Sequence, residues 1–314
     1  MRKIPIVAVV GPTASGKTDL AVELAKKLDG EIISFDSMQI YKGMHIASAA
    51  PDMEERQGIP HHLLEFLEPG INFSVADFIA AATKCVKDIT ERKKTIIIAG
   101  GTGLYINSFI DNITFAKEET DPILRERLNA EYDELGGEAM LEKLRTFDPE
   151  SAERLHPNNK KRVIRAFEVY MTSGVTMTQQ LENSKTEDSP YNPYIIGLTY
   201  SDRALLYDRI NKRVDVMLQK GLLCEAEAMY KSETRGTASQ AIGHKEFYPY
   251  FSGDITLSEA TENLKAETRR YAKRQLTWFR RDERINWIYR DKTDNPTEEA
   301  LLILERNGYF GEKA

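Results

Sequence analysis

Cysteine is almost missing from this chain of 314 residues: only Cys85 and Cys224 occur, far apart. That excludes a disulfide framework and a cysteine-based zinc site, and it points to a reducing, cytoplasmic setting. No apolar run approaches the roughly 20 residues that a membrane-spanning helix needs. The opening M-R-K-I-P runs straight into a strand-like segment, so no signal peptide is expected. Histidine is scarce as well. His61 and His62 have no third ligand at metal spacing, so they are expected to pack or to hydrogen-bond. Positive charge is not in excess either: the formal net charge is −6, a mild argument against a nucleic-acid partner. The average conceals an exception. Lys265, Arg269, Arg270, Lys273, Arg274, Arg280, Arg281, Arg284 and Arg290 are opposed within their stretch only by Glu267, Asp282 and Glu283. A basic stripe on an acidic chain is a local electrostatic footprint.

What is present is concentrated near the start. After the apolar run Ile6–Val10 comes G-P-T-A-S-G-K-T, that is Gly11, Pro12, Thr13, Ala14, Ser15, Gly16, Lys17 and Thr18. It fits G-x-x-x-x-G-K-[ST] and opens an amphipathic stretch with Leu20, Ala21, Leu24, Ala25 and Leu28 on one face. Strand, loop and helix N-terminus make a cradle for a di- or triphosphate, because backbone N–H groups converge there and the helix dipole adds positive charge. Lys17 is expected to reach terminal phosphate oxygens, and the Thr18 hydroxyl to hold a magnesium ion bridging them.

A second strand, Glu31 to Phe35, ends at Asp36, where an open parallel sheet lines its ligand crevice. Asp36 is read as a functional carboxylate, with a turn aspartate as the bland alternative. Residues 41–69 lack periodicity and read as a long excursion over the surface. Ser74 caps a helix, with Asp77 three residues on. The apolar run Thr95–Ala99 suits a central parallel strand. It ends in G-G-T-G-L-Y (100–105), not in the carboxylate that many phosphate-loop NTPases place there to hold magnesium. Transfer chemistry on a phosphate compound is therefore favoured over triphosphate hydrolysis. The glycines would let a flat group or a backbone come close, with Thr102 offering a hydroxyl.

From Thr120 the character changes. Asp121–Pro122 is an N-cap followed by proline, and helical stretches at 123–135, 138–147 and 159–172 precede the next strand, 194–199. The expected fold class is α/β: a P-loop NTPase-like core with a mostly parallel sheet flanked by helices, residues 1–119 and 190–314, plus an all-helical insertion domain at 120–189. Leu206, Ile210, Val214 and Met217 form the stripe of a later helix, beside Arg209 and Arg213. Spacing alone favours pairing these arginines with Asp208 or Asp215, although an Arg here can also neutralise a leaving diphosphate. A long helix, 258–281, carries the basic stripe, with Trp278 expected in the core. A strand at 285–289 and a helix at 297–307 close the chain.

The motifs together resemble those of the tRNA dimethylallyltransferases, bacterial type. The likeness covers nearly the whole chain: G-P-T-A-S-G-K-T (11–18), D-S-M-Q-I-Y-K-G-M (36–44), P-H-H-L (60–63), G-G-T-G-L-Y (100–105), H-P-N-N-K-K-R-V-I-R-A (156–166), Q-A-I-G-H-K-E (240–246) and K-R-Q-L-T-W-F-R-R (273–281). The phosphate loop alone is widely shared; its combination with D-S-x-Q-x-Y and G-G-T-x-L-Y is specific. The resemblance implies transfer of a dimethylallyl group from dimethylallyl diphosphate to the exocyclic amine of the adenosine on the 3′ side of the anticodon. The tRNAs would be those reading codons that begin with U, and magnesium would be the cofactor.

By the same resemblance the phosphate loop holds the diphosphate together with Arg213, which overrides the pairing suggested by spacing. Asp36 is the general base and Thr102 orients the amine. Ser37, Met38 and Gln39 approach the flipped adenosine. Arg125, the run Lys160, Lys161, Arg162, Val163, Ile164 and Arg165, the turn with Gln240, Gly243 and Lys245, and Gln275 and Arg280 meet the anticodon stem-loop, the insertion closing over it. A cytoplasmic monomer with no membrane contact is expected. The loop is called ATP-binding in this family, but the transfer needs no ATP, so the label is a fold analogy. The zinc-finger extension of eukaryotic members is not in this sequence. Two alternatives remain: an adenylate isopentenyltransferase, which would need neither basic helix nor insertion, and a small-molecule kinase, for which the strand-end carboxylate is missing.

Overall fold

Ile6, Ala8 and Val10 of the first strand enter one hydrophobic cluster, and Val7 and Val9 enter another on the opposite face. This period of two on an all-apolar strand requires cover on both faces, the condition of a central parallel strand. The computed structural model describes residues 3–115, 121–184, 188–232 and 236–312. Its strands are β1 (Ile4–Val10), β2 (Gly30–Ser34), β3 (His61–His62), β4 (Thr95–Gly100), β5 (Tyr191–Thr199) and β6 (Asn286–Tyr289). They form one sheet in the order β3-β2-β4-β1-β5-β6, every pair parallel.

The helices of the sheet-bearing unit are α1 (Lys17–Leu28), α2 (His45–Ser48), α3 (Met53–Arg56), α4 (Val75–Glu91) and α5 (Gly103–Ile110). The second unit holds α6 (Pro122–Arg145), α7 (Pro149–Arg154), α8 (Lys160–Ser173) and α9 (Met177–Asn183). The chain then continues in the first unit with α10 (Arg203–Gln219), α11 (Leu222–Lys231), α12 (Tyr248–Phe251), α13 (Leu257–Phe279), α14 (Pro296–Arg306) and α15 (Tyr309–Glu312). One face of the sheet is covered by α4 and α5, where Phe35 meets Phe78 and Phe109 edge-on. The other is covered by α1 and α14 through Leu20, Leu24 and Leu304. Strand, phosphate loop and parallel sheet constitute a P-loop NTPase-like α/β core.

Two expectations change. Residues 41–69 run mostly at or near the surface but are not irregular throughout: Tyr41, Met44, Ala50 and Pro51 are buried, and the segment supplies α2, α3 and the edge strand β3. Aperiodic sequence hid this, because a two-residue strand and one-turn helices are too short to show a period. Strand β5 begins at Tyr191 rather than Tyr194 and includes Pro193, which reads as a breaker in sequence. As expected, the histidines are hydrogen-bonded: His62 Nε2 lies 2.7 Å from Glu31 Oε2 and His61 Nδ1 donates to the Ile59 carbonyl at 2.8 Å.

Compact units comprise residues 1–110 with 189–314, and 111–188. The boundary expected at Thr120, and part of the polar stretch beyond Glu182, lie outside the described residues. Within the second unit α6 breaks at Gly136, whose φ of 80° suits glycine. Leu128, Met140, Leu144, Val163 and Phe167 form its core. Its last helix, α9, was not expected; Thr176 and Gln179 start it with a capping box.

Candidate active site

The phosphate loop is built for an anion. Ala14 has φ 62° and Gly16 φ 90°, so successive N–H groups turn to one side, and no side chain caps α1 at Gly16. The free N–H groups of that helix end are left for a ligand. Ser15 Oγ is buried with no hydrogen-bond partner among the described residues, a further unused polar atom in the loop. Lys17 Nζ reaches back to the Pro12 carbonyl at 2.6 Å. Burial, helped by the Arg213 charge, lowers its pKa from 10.5 to about 7.

The loop opens on a cavity of about 380 Å³ lined by Thr13, Lys17 and Thr18 on one side and by Asp36, Ser37 and Gly101 on another. Asp36 serves as both a turn aspartate and a cavity carboxylate. Its Oδ1 accepts the Met38 N–H at 2.9 Å and the Gln39 N–H at 3.4 Å. Burial pushes its carboxyl above the ordinary 3.8, opposed by those hydrogen bonds and by the Lys17 and Arg213 charges. Thr102 is docked beside it: its N–H donates to the Phe35 carbonyl at 3.3 Å, and its Oγ1 accepts the Ser37 N–H at 3.1 Å.

The arginines depart from the pairing that spacing favoured. Lys212 takes Asp208 and Lys265 takes Asp215. Arg209 Nε donates instead to the Ala14 carbonyl at 3.2 Å, and Arg213 Nη1 to Thr13 Oγ1 at 3.4 Å. Arg213 therefore faces the phosphate loop, where burial lowers its pKa. Helix rotation decides this: Arg213 follows Ile210 and precedes Val214, both buried, so it sits at the inner edge of α10.

The glycines at the end of β4 and just after it let other parts of the protein come close. A Cβ on Gly100 would stand 2.1 Å from the Phe35 carbonyl oxygen, and one on Gly103 would stand 2.2 Å from Trp278 Cδ1. Trp278 is half-buried on the core and donates its indole N–H to Asn107 Oδ1 at 3.2 Å. Opposite, Glu225 ties together the two segments that form the cavity's apolar wall. Its carboxylate accepts the Ile46 and Ala47 N–H groups at 2.8 and 2.9 Å and meets His244 Nε2 at 2.8 Å.

The residues that the resemblance assigned to RNA divide between buried positions, the cavity wall and exposed surface. Gln275 is 5% exposed and Gly243 is buried, its N–H bonded to Glu246. Val163 and Ile164 belong to the core of the second unit, so only the basic side chains of that run face outward. Gln39 lines the cavity, but its amide donates to the Ser48 and Ala49 carbonyls and accepts the Ser34 hydroxyl. Ser37, Met38, Gln240 and Lys245 line the cavity too. In the second unit Arg125 is paired with Glu168, and Lys160 with Asp133 at 2.5 Å. Lys161 and Arg162 are exposed with no ion pair among the described residues. The basic stripe is partly spent: Lys265 pairs with Asp215, Arg270 with Glu267 and Arg284 with Asp282. Arg269 bonds Asn211 at 2.6 Å, whereas Arg280 is exposed.

Sequence reasoning missed Tyr271, which lines the cavity and meets Thr102 and Gln275. Burial pushes its hydroxyl far up. The available signal was its position one turn before Gln275 on the same helix face. Glu225 and His244 were missed as well, and nothing in their spacing, nineteen residues apart in sequence, could have joined them.

Residues 39–282 match the IPP transferase family. The chain is 50% identical over 287 residues to the tRNA dimethylallyltransferase of Bacillus subtilis, covering 91% of each protein. It is 47% identical over 303 residues to that of Halalkalibacterium halodurans, covering 96% of each. Among solved structures, a tRNA isopentenylpyrophosphate transferase from Bacillus halodurans matches with TM-score 0.71 at 43% identity, over 99% of this chain and 97% of that one. A eukaryotic dimethylallyltransferase acting on tRNA matches with TM-score 0.81 at 27% identity, over 99% and 80%.

Proposed function

The chain belongs to the IPP transferase family and is a tRNA prenyltransferase, and we propose the donor, acceptor and residue roles that its cavity supports. The donor is dimethylallyl diphosphate, and the acceptor is the exocyclic amine of the adenosine 3′ to the anticodon in tRNAs that read codons beginning with U. One observation carries this reading. A single cavity joins an uncapped phosphate loop with Lys17 and Arg213 to Asp36 and Ser37 after β2 and Gly101 after β4, and Thr102 follows Gly101 and is bonded to the Ser37 N–H. A diphosphate and a nucleophile can thus be held face to face.

The diphosphate lies against the loop N–H groups, Lys17 and Arg213. The amine attacks the allylic carbon, the bond from that carbon to the diphosphate oxygen breaks, and a proton passes from the amine to Asp36. An adenine amine is a poor nucleophile, so stabilising the departing diphosphate and placing the amine matter most. Asp36 uses one oxygen in its turn, which fixes the carboxylate and leaves the other for the proton. Thr102 accepts from the amine while its own position is held by the Ser37 N–H.

No group of three or more His, Cys, Asp or Glu able to hold a metal occurs among the described residues. A magnesium ion fits here only as a partner of the donor's phosphate oxygens and the Thr18 hydroxyl, the sparse protein ligation typical of that ion. When bound, it would neutralise charge on the diphosphate. The exposed Lys161, Arg162 and Arg280 supply phosphate contacts to the anticodon stem-loop.

The test is a transfer assay with radiolabelled dimethylallyl diphosphate and magnesium, without ATP, offering unmodified tRNA and AMP in parallel. Label on tRNA alone is expected. Label on AMP would move the acceptor to free nucleotides, and no label on either would overturn the proposed donor.

A further inference from the structure

Gln275 stands at a junction. Its Oε1 accepts the Thr13 N–H of the phosphate loop at 2.8 Å, and its Nε2 donates to the Gly101 carbonyl at the end of β4 at 3.0 Å. The fit is close: a Cβ on Gly101 would come within 2.1 Å of that nitrogen. Its two partners belong to the two halves of the reaction. Thr13 receives Arg213 through its hydroxyl and opens the diphosphate cradle. Gly101 is followed by Thr102, which is bonded to Ser37 next to Asp36.

We infer that Gln275 is a positioning residue that sets the gap between the diphosphate cradle and the amine-orienting hydroxyl of Thr102, an inference that rests on the function proposed above. An amide suits the place because one loop presents a donor and the other an acceptor. A glutamate there keeps the acceptor for Thr13 but sets a carboxylate oxygen against the Gly101 carbonyl. A methionine, of similar length, serves neither. The amide is not needed to dock α13, since Trp278 one turn on already packs against Gly103 and bonds Asn107. Gln275 is buried at the cavity wall with both amide atoms bonded within the protein, so its role follows from those bonds instead of from the RNA contact that the family likeness implied.

The experiment is single-turnover prenylation of an unmodified tRNA transcript with saturating dimethylallyl diphosphate, using wild type, Gln275→Glu, Gln275→Met, Thr102→Ala and the Gln275→Met/Thr102→Ala double variant. Reaction amplitude counts competent molecules, and the rate constant reports the chemical step. The expected result is full amplitude with a rate on the order of 10²-fold lower for Gln275→Met, as a misplacement near 1 Å produces. Gln275→Glu should fall between it and wild type. Affinities for inorganic pyrophosphate and tRNA should stay within about threefold. The double variant should be little slower than the slower single variant, because both act through one hydroxyl. A wild-type rate with reduced amplitude would leave a purely structural role, and additive losses would detach Gln275 from Thr102. A normal rate with weakened tRNA binding would restore the RNA contact; each of these overturns the inference. Should Gln275→Met not fold, Gln275→Glu decides by the same criteria. Failure of the wild type to label tRNA would instead strike the proposed function, which keeps the two failures apart.

Discussion

Lys17 is costly to the ligand-free protein. Its pKa of about 7, against 10.5 in an ordinary setting, means that the folded chain binds fewer protons than the unfolded chain between those values. Stability owed to this group therefore rises with pH from about 7 towards 10.5, and its charge is most destabilising at or below pH 7. Lys17→Met is expected to raise Tm at pH 7, by about 2 °C or more for each kcal/mol recovered, with the gain fading towards pH 10.5. Its affinity for pyrophosphate should collapse. Calorimetry across pH checks this, and a gain independent of pH would detach it from the lysine charge. Asp36→Asn keeps an oxygen for the Met38 N–H but cannot take a proton. It should lower the transfer rate by about 10²–10⁴-fold while tRNA affinity stays within a few fold. A wild-type rate in that variant would remove Asp36 as the base. Both residues were legible in sequence, because a phosphate loop and a strand end in a parallel sheet each have a fixed relation to the crevice. Tyr271 was not, and Gln275 was singled out by resemblance without its inward orientation, since the inward or outward sense of a residue on a basic, amphipathic helix depends on what packs against it.

The loop after β4 and the helix α13 are complementary elements, Gly101 meeting Gln275 and Gly103 meeting Trp278. Gly103→Ala pushes a methyl into the indole and should destabilise the protein by about 1–3 kcal/mol, as overpacking does. Gly70, with open space around its ideal Cβ and no positive φ, is the comparison site for added bulk. Equal Tm losses at both sites would show that bulk beside Trp278 is not the cause. The sequence marked this loop as one where something approaches closely, but not whether ligand or protein approaches. The Glu225 tie works similarly across α2, α11 and the 240–247 turn. Burial pushes this carboxyl up, yet bonds from His244, Ile46 and Ala47 outweigh it and hold the pKa below 4.5. Its stabilising contribution is complete above that value and is lost as pH falls through the lower, folded pKa. Glu225→Gln should therefore flatten acid unfolding and raise the KM for the prenyl donor, whose apolar wall it holds. An unchanged acid limb in a pH titration of stability would refute the tie.

At the scale of the whole molecule, the second unit has its own core and the first closes without it: Ser189 Oγ donates to the Ile110 carbonyl at 2.5 Å, so the two ends of the cut meet. Replacing residues 111–188 by a short glycine linker is expected to leave a folded α/β unit that binds pyrophosphate normally and tRNA weakly. Loss of pyrophosphate binding in a folded product would show that the phosphate loop depends on the excised unit. Charge reversal at Lys161 and Arg162 should weaken tRNA binding and lower the slope of log affinity against log salt by about one for each phosphate no longer neutralised. An unchanged slope would make that face solvated surface. By itself the sequence determined the parallel core, the phosphate loop, the Asp36 and Thr102 positions and the existence of a helical insertion. These follow from periodicity, capping and the strand–loop–helix arrangement, all local in the chain. Tertiary structure decided that Arg213 faces the loop instead of Asp215, which the resemblance implied and spacing did not, that Gln275 joins two loops lying 262 and 174 residues before it, and that the glycines of the loop after β4 receive a helix. Such pairings are set by helix rotation and by packing between residues distant in sequence, and no local pattern carries that information.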